Sequence, residues 1–140
     1  MPMIDVYAAA GTFADPKALA RDLATALMRV EQVPDITLFR NNTAAFIHQM
    51  PVNALSNVAG DADRIRIQVL TNAAALDREK QLAAVAELTR VASEAANDPS
   101  SPDRTWVLLT EAPDGGWGIG GNAYLNEELI AAARTELGRT

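Results

Sequence analysis

Arg64-Ile65-Arg66-Ile67-Gln68-Val69-Leu70-Thr71 alternates between polar and apolar residues, and this alternation decides the fold. Ile65, Ile67 and Val69 fall on one side of an extended chain, with Arg64, Arg66 and Gln68 on the other, the period of two that a strand imposes. A similar stretch, Ile4 to Ala9, lies 62 residues earlier. Each is followed by a helix start. Asp15-Pro16 supplies an N-cap and a proline at the first helical position. Leu19, Leu23, Leu27 and Val30 then repeat at helical spacing until Val33-Pro34 closes the helix. Asp77 opens the second helix, which runs to about Ala96 with Leu82, Val85, Leu88 and Ala92 as its apolar stripe. Asp98-Pro99-Ser100-Ser101-Pro102 ends it. A second strand follows in each half, Thr43 to Gln49 and Trp106 to Leu109.

The halves superpose at the shift of 62 without a gap. Asp15 falls on Asp77, Gln49-Met50-Pro51 on Glu111-Ala112-Pro113, and Leu55 on Trp117. This punctuation points to an internal duplication, with repeats at about 2–59 and 64–121. A final helix opens at Asn126, where Glu127 and Glu128 suit the first turn. The expected fold is α+β, a tandem β-α-β repeat in one domain. It has a four-stranded sheet with two helices on one face, plus a C-terminal hairpin and helix. Each strand–helix–strand unit should hold parallel strands in a right-handed crossover. The other sheet face then lacks cover, and parallel strands normally bury both faces. Further copies of the chain are the simplest cover.

Composition removes several function classes. Net charge is −6, and the 12 Lys and Arg do not cluster along the sequence, so neither nucleic acid nor an anionic membrane surface is an expected partner. No run approaches the roughly 20 apolar residues of a membrane span. No secretory signal is evident at the N-terminus, and the expected location is the cytoplasm. With no cysteine and one histidine, disulfides, thiol chemistry and a zinc site are not expected, and no cofactor motif stands out. The glycines of 115–121 lack the lysine and spacing of a phosphate loop and read as a hairpin.

Acid–base candidates are therefore few. Pro2 follows Met1 and heads the first strand. If Met1 is removed, Pro2 begins the chain with a free secondary amine. An α-amino group titrates near roughly 7.7–8, and burial lowers that value. Such an amine can take a proton from carbon next to a carbonyl and return it elsewhere.

Together, Pro2, the duplicated β-α-β unit, Thr110-Glu111-Ala112-Pro113 and Asp114-Gly115-Gly116-Trp117-Gly118-Ile119-Gly120-Gly121 resemble the tautomerase superfamily. The last segment is similar to the aromatic-Gly-Ile-Gly-Gly hairpin of 4-oxalocrotonate tautomerases. The double length resembles the fused members, nearest the cis-3-chloroacrylic acid dehalogenase and malonate semialdehyde decarboxylase groups. The resemblance implies a homotrimer with a central barrel, catalysis by Pro2, and Trp117 as a pocket wall. It also exposes departures. Family members that grip carboxylates carry arginines just after the first strand of a repeat. Here those stretches are Ala10-Gly11-Thr12-Phe13 and Asn72-Ala73-Ala74-Ala75. The tyrosine and glutamate of dehalogenase-like members are replaced at about Leu108 and Gly116. Dehalogenation or hydration of that type is not expected, and a decarboxylase lacks its paired arginines.

The expectation is a keto–enol tautomerase acting on a small carbonyl compound through Pro2. Trp117, Asn72, Trp106 and His48 are candidate substrate contacts. Each has an ordinary alternative: core aromatics for the tryptophans, a turn former for Asn72, a structural histidine for His48. The rival reading is a non-catalytic trimer with a binding or regulatory role.

Overall fold

The computed structural model describes residues 1–138. Its elements in chain order are β1 (Met3–Ala9), α1 (Pro16–Glu31), α2 (Thr37–Asn42), β2 (Ala44–Met50), β3 (Ile65–Thr71), α3 (Arg78–Ala96), β4 (Thr105–Glu111), β5 (Trp117–Ile119), β6 (Asn122–Tyr124) and α4 (Asn126–Glu136). Four strands form one sheet in the order β2-β1-β3-β4, and β5 and β6 form a separate hairpin. β1 and β2 are parallel, as are β3 and β4, while β1 and β3 meet antiparallel with Met3 opposite Leu70. The expected fold is the observed one.

Alternation sorts the sheet's two faces. Ile4, Val6 and Ala8 of β1 and Ile65, Ile67 and Val69 of β3 are buried with Leu19, Leu23 and Leu27 of α1 and Ala84, Leu88 and Ala92 of α3. The helices therefore cover one face. The opposite face carries Asp5, Tyr7, Phe46, His48, Arg66, Gln68, Leu70, Trp106 and Leu108. Of these, Phe46, Leu70, Trp106 and Leu108 are each 41–51% exposed.

Several sequence expectations need correcting. The buried stripe of α3 is Ala84, Leu88 and Ala92, while Leu82 and Val85 face outward. Both phases have helical spacing. The small side chains at 84 and 92 face the packed side, and the larger apolar ones are left outside. The span Trp106–Leu109 extends to 105–111, and only Val107 and Leu109 turn toward the core. α1 stops at Glu31 because Gln32 adopts a left-handed conformation (φ 59°), before Pro34 is reached. α2 was not expected. Its N-terminal amides lack a local cap. Instead, the Glu136 carboxylate, 98 to 99 residues away, accepts from Thr37 N–H (2.6 Å) and Leu38 N–H (2.9 Å).

The hairpin turns through Gly120 and Gly121, both at positive φ (60° and 86°), which a two-residue turn of this hand requires. α4 is then tied back. Asn126 N–H donates to Asp114 Oδ1 (2.7 Å), and Asn126 Nδ2 donates to the Ala73 carbonyl (2.6 Å). These bonds hold hairpin and helix over the loop that follows β3.

Candidate active site

The head of β1 enters a buried corner formed by the C-terminal ends of α1 and β3, the hairpin and α4. Pro2 is among the fully buried side chains, and its carbonyl accepts from Ala44 N–H (3.2 Å). In the structure Met1 is present, so the Pro2 nitrogen is an amide. Met1 is 2% exposed and packs in an apolar cluster with Ala112, Trp117 and Leu129. Met3, Leu38, Phe39, Ile119 and Tyr124 border that cluster.

The polar side of the corner is small and specific. The Met1 ammonium lies 3.5 Å from Glu31 Oε2 and donates to Asn72 Oδ1 at 3.3 Å. Thr71 Oγ1 donates to the other Glu31 oxygen at 3.0 Å, and Lys80 Nζ donates to the Glu31 backbone carbonyl at 3.2 Å. Glu31 is 5% exposed, and Asn72 Nδ2 is buried with no partner. Burial lowers the Met1 ammonium below its ordinary pKa of 8.0, because desolvation disfavours the charged form; the neighbouring Glu31 pulls the other way.

The corner thus combines a chain-terminal amine, a buried carboxylate, an amide with a spare donor, and an indole wall. Among the described residues it contains no arginine. The amine and the carboxylate suit proton transfer, and the amide suits polarisation of a carbonyl. Among the described residues, no group of three or more acidic, histidine or cysteine side chains is placed to hold a metal.

The structure brings Pro2, Trp117 and Asn72 together at this corner. Trp106 and His48 lie elsewhere. His48 stands beside Tyr7 in the parallel register, stacks on its ring (centroids 4.3 Å) and pairs with Asp5 (2.7 Å). Trp106 stands opposite Arg66, which is itself opposite Tyr7. Both therefore sit on the open face, four residues along β1 from Met3, or roughly 13 Å at strand rise. Sequence reasoning missed Glu31. Its signal was position: it follows Leu27 by one helical turn, on the stripe that Leu19, Leu23 and Leu27 bury. A separate groove of about 670 Å³ runs between α1 and the β2 edge, with Lys17, Arg21, Arg29 and Arg40 on its walls and no residue of the Met1 corner.

Fold and chain length together define a double-length tautomerase-type scaffold. The chain is similar to R7 fused 4-OT, an asymmetric trimer, at 19% identity over 91% of this chain and 98% of that one, with a TM-score of 0.71. It is similar to malonate semialdehyde decarboxylase at 19% identity, covering 93% and 98% with a TM-score of 0.69. It is also similar to N1, of the cis-3-chloroacrylic acid dehalogenase family, at 18% identity, 99% of each chain and a TM-score of 0.70. No protein-family model matches the sequence, and no curated protein does. The resemblance to fused tautomerase-superfamily members is borne out in the fold.

Proposed function

We propose that this chain, once Met1 is removed, uses the Pro2 amine as general base and acid on an enolisable carbonyl compound, a keto–enol tautomerase reaction. The observation that carries the reading is the corner at the head of β1, where a terminal amine is desolvated beside Glu31, Asn72 and Trp117. Removal of Met1 frees the Pro2 nitrogen in the same corner. A neutral amine there takes the α-carbon proton of the keto form and delivers it to the enolate oxygen; in the reverse direction it takes the enol O–H proton and delivers it to carbon. Asn72 Nδ2 is the donor proposed to polarise the carbonyl. Neither Ala10-Gly11-Thr12-Phe13 nor Asn72-Ala73-Ala74-Ala75 carries an arginine, which argues for a substrate without two carboxylates.

We further propose one domain of two repeats that assembles as a homotrimer, its open sheet faces turned inward. Exposed Phe46, Leu70, Trp106 and Leu108 support this, as does the trimeric state of R7 fused 4-OT. Trp106 and His48 then belong to the assembly interior rather than to substrate contact.

The test joins intact mass with activity. Protein from its native cells should start at Pro2. It should convert phenylpyruvate or a 2-hydroxydienoate, and Pro2→Ala should slow turnover by about 10²-fold or more, the usual scale of a positioned base. Equal rates for wild type and Pro2→Ala remove Pro2 from the chemistry. The second reading, a non-catalytic trimer, is favoured by how well Met1 fills the corner; a chain that keeps Met1 has no amine at Pro2.

A further inference from the structure

Met1 occupies the corner as a ligand would, and its atoms report what the corner accepts. Its carbonyl carbon is bonded to the Pro2 nitrogen, so its remaining atoms fill the space that a free Pro2 amine would face. Its thioether arm is buried with Ala112, Trp117 and Leu129. Its ammonium, one carbon from the carbonyl, faces Glu31 Oε2 at 3.5 Å and Asn72 Oδ1 at 3.3 Å. Two acceptors thus face the one polar head. Thr71 Oγ1 holds Glu31 from behind at 3.0 Å, so the carboxylate is oriented before any ligand arrives. Among the described residues, Lys80 is the lysine or arginine bonded to Glu31, and it donates to the backbone carbonyl rather than to a carboxylate oxygen.

We propose that the space filled by Met1 is the substrate pocket, and that its Glu31–Asn72 end selects a hydrogen-bond donor beside the carbonyl and rejects a carboxylate. The substrate class is a carbonyl compound with a short apolar arm and an α-amino or α-hydroxyl group. This rests on the reading of Pro2 as the catalyst and adds the identity of the neighbouring substituent. A buried carboxylate left facing an anionic ligand repels it at low local dielectric. A protonated amine there restores the ion pair that Met1 makes.

The test is binding to the full chain beginning at Pro2, read by Trp117 fluorescence in a Trp106→Phe background. The probes are 3-(methylthio)propylamine, 3-(methylthio)propanol and 4-(methylthio)butanoate, which share Met1's arm and differ in the head. At about pH 9 the Pro2 amine is mainly neutral while the probe amine stays protonated. The expected order is amine, alcohol, carboxylate, with the amine at least about tenfold tighter than the carboxylate. Glu31→Gln should erase the amine's lead; where that variant does not fold, Asn72→Ala should narrow it. A carboxylate that binds wild type as tightly as the amine overturns the inference. So does an amine lead that survives Glu31→Gln, or no binding of any probe. Because no turnover is read, a protein that ranks the probes as expected yet converts no carbonyl compound supports the pocket and sinks the catalytic reading.

Discussion

Removing Met1 should destabilise the protein measurably, because residue 1 is part of the packed interior. Met1 is 2% exposed, its side chain packed among Ala112, Trp117 and Leu129. Full burial of a methionine is worth about 1.5–3 kcal/mol in transfer alone, and an unrelaxed cavity pushes the loss toward about 2–5 kcal/mol. The Met1–Glu31 pair adds little to this sum. A buried pair is near neutral in net stability against its desolvation, and the vacated corner admits water to Glu31. The expected difference is therefore about 2–4 kcal/mol. Two preparations test it, one beginning at Met1 and one at Pro2, each released from a fusion partner without extra residues. Urea unfolding at fixed protein concentration reads the difference as a shift of midpoint at constant slope. A Pro2-first protein within about 0.5 kcal/mol of the Met1 form, near the scatter of surface substitutions, would refute the claim that Met1 fills this corner. The same pair has a pH signature. The Met1 amine has a folded pKa below 8.0, so between the two values the unfolded chain binds more protons. Stability of the Met1 form should rise with pH through that window and level off above about 8. A fall across the window would contradict the burial of the amine.

Glu136→Ala removes the side-chain cap that Glu136 gives α2, so Thr37 and Leu38 amides should lose hydrogen-exchange protection while β1 and β3 amides keep theirs. The Glu136 carboxyl is itself held below its ordinary pKa, first by the Leu38 amide and also by Thr37. The α2–α4 tie should thus be intact above the ordinary carboxylate range and weaken as pH falls through the depressed value. Leu108→Asp places a charge on the open sheet face and should yield a folded monomer by light scattering; an unchanged trimer would show that this face is not where copies meet.

Much of this fold was legible because it depends on local signals. Asp15 and Asp77 cap their helices through Ala18 N–H and Lys80 N–H, as their place in the sequence implies. The period of two in 64–71 put Ile65, Ile67 and Val69 on the covered face. Gly120-Gly121 announced the hairpin. What stayed hidden depends on distant partners. α2 takes its cap from α4, so no local pattern marks it. The true stripe of α3 was obscured because Leu82 and Val85 keep helical spacing among themselves. Pro2, Asn72 and Trp117, singled out through motif and position, meet at the candidate site. Glu31 was passed over because a glutamate at a helix end reads as solvated; its burial is explained by partners distant in sequence, the Met1 amine 30 residues away and the Thr71 hydroxyl 40 away.

The shift of 62 also relates the Met1 corner, the candidate site, to the opposite end of the sheet. Because β1 and β3 run antiparallel, the counterpart of the Pro2 corner lies at the far end, where Arg64 precedes β3. Each chemical feature has been exchanged there. Pro2 corresponds to Arg64, Met1 to Asp63, Glu31 to Ser93, Asn72 to Ala10 and Trp117 to Leu55. Arg64 is paired with Asp61 at 2.6 Å, Asp63 lies 3.3 Å from Arg104, and these carboxylates are largely exposed. Charges satisfied in water have little leverage on a ligand, since a surface pair contributes about 0–1 kcal/mol. A carboxylate and an amine that are both nearly dry have far more, because each depends on the other or on whatever replaces it. The two ends of the sheet differ in cover: the hairpin and α4 close the Met1 corner, which combines burial with an unmatched polar atom. That is the end where a ligand has something to satisfy.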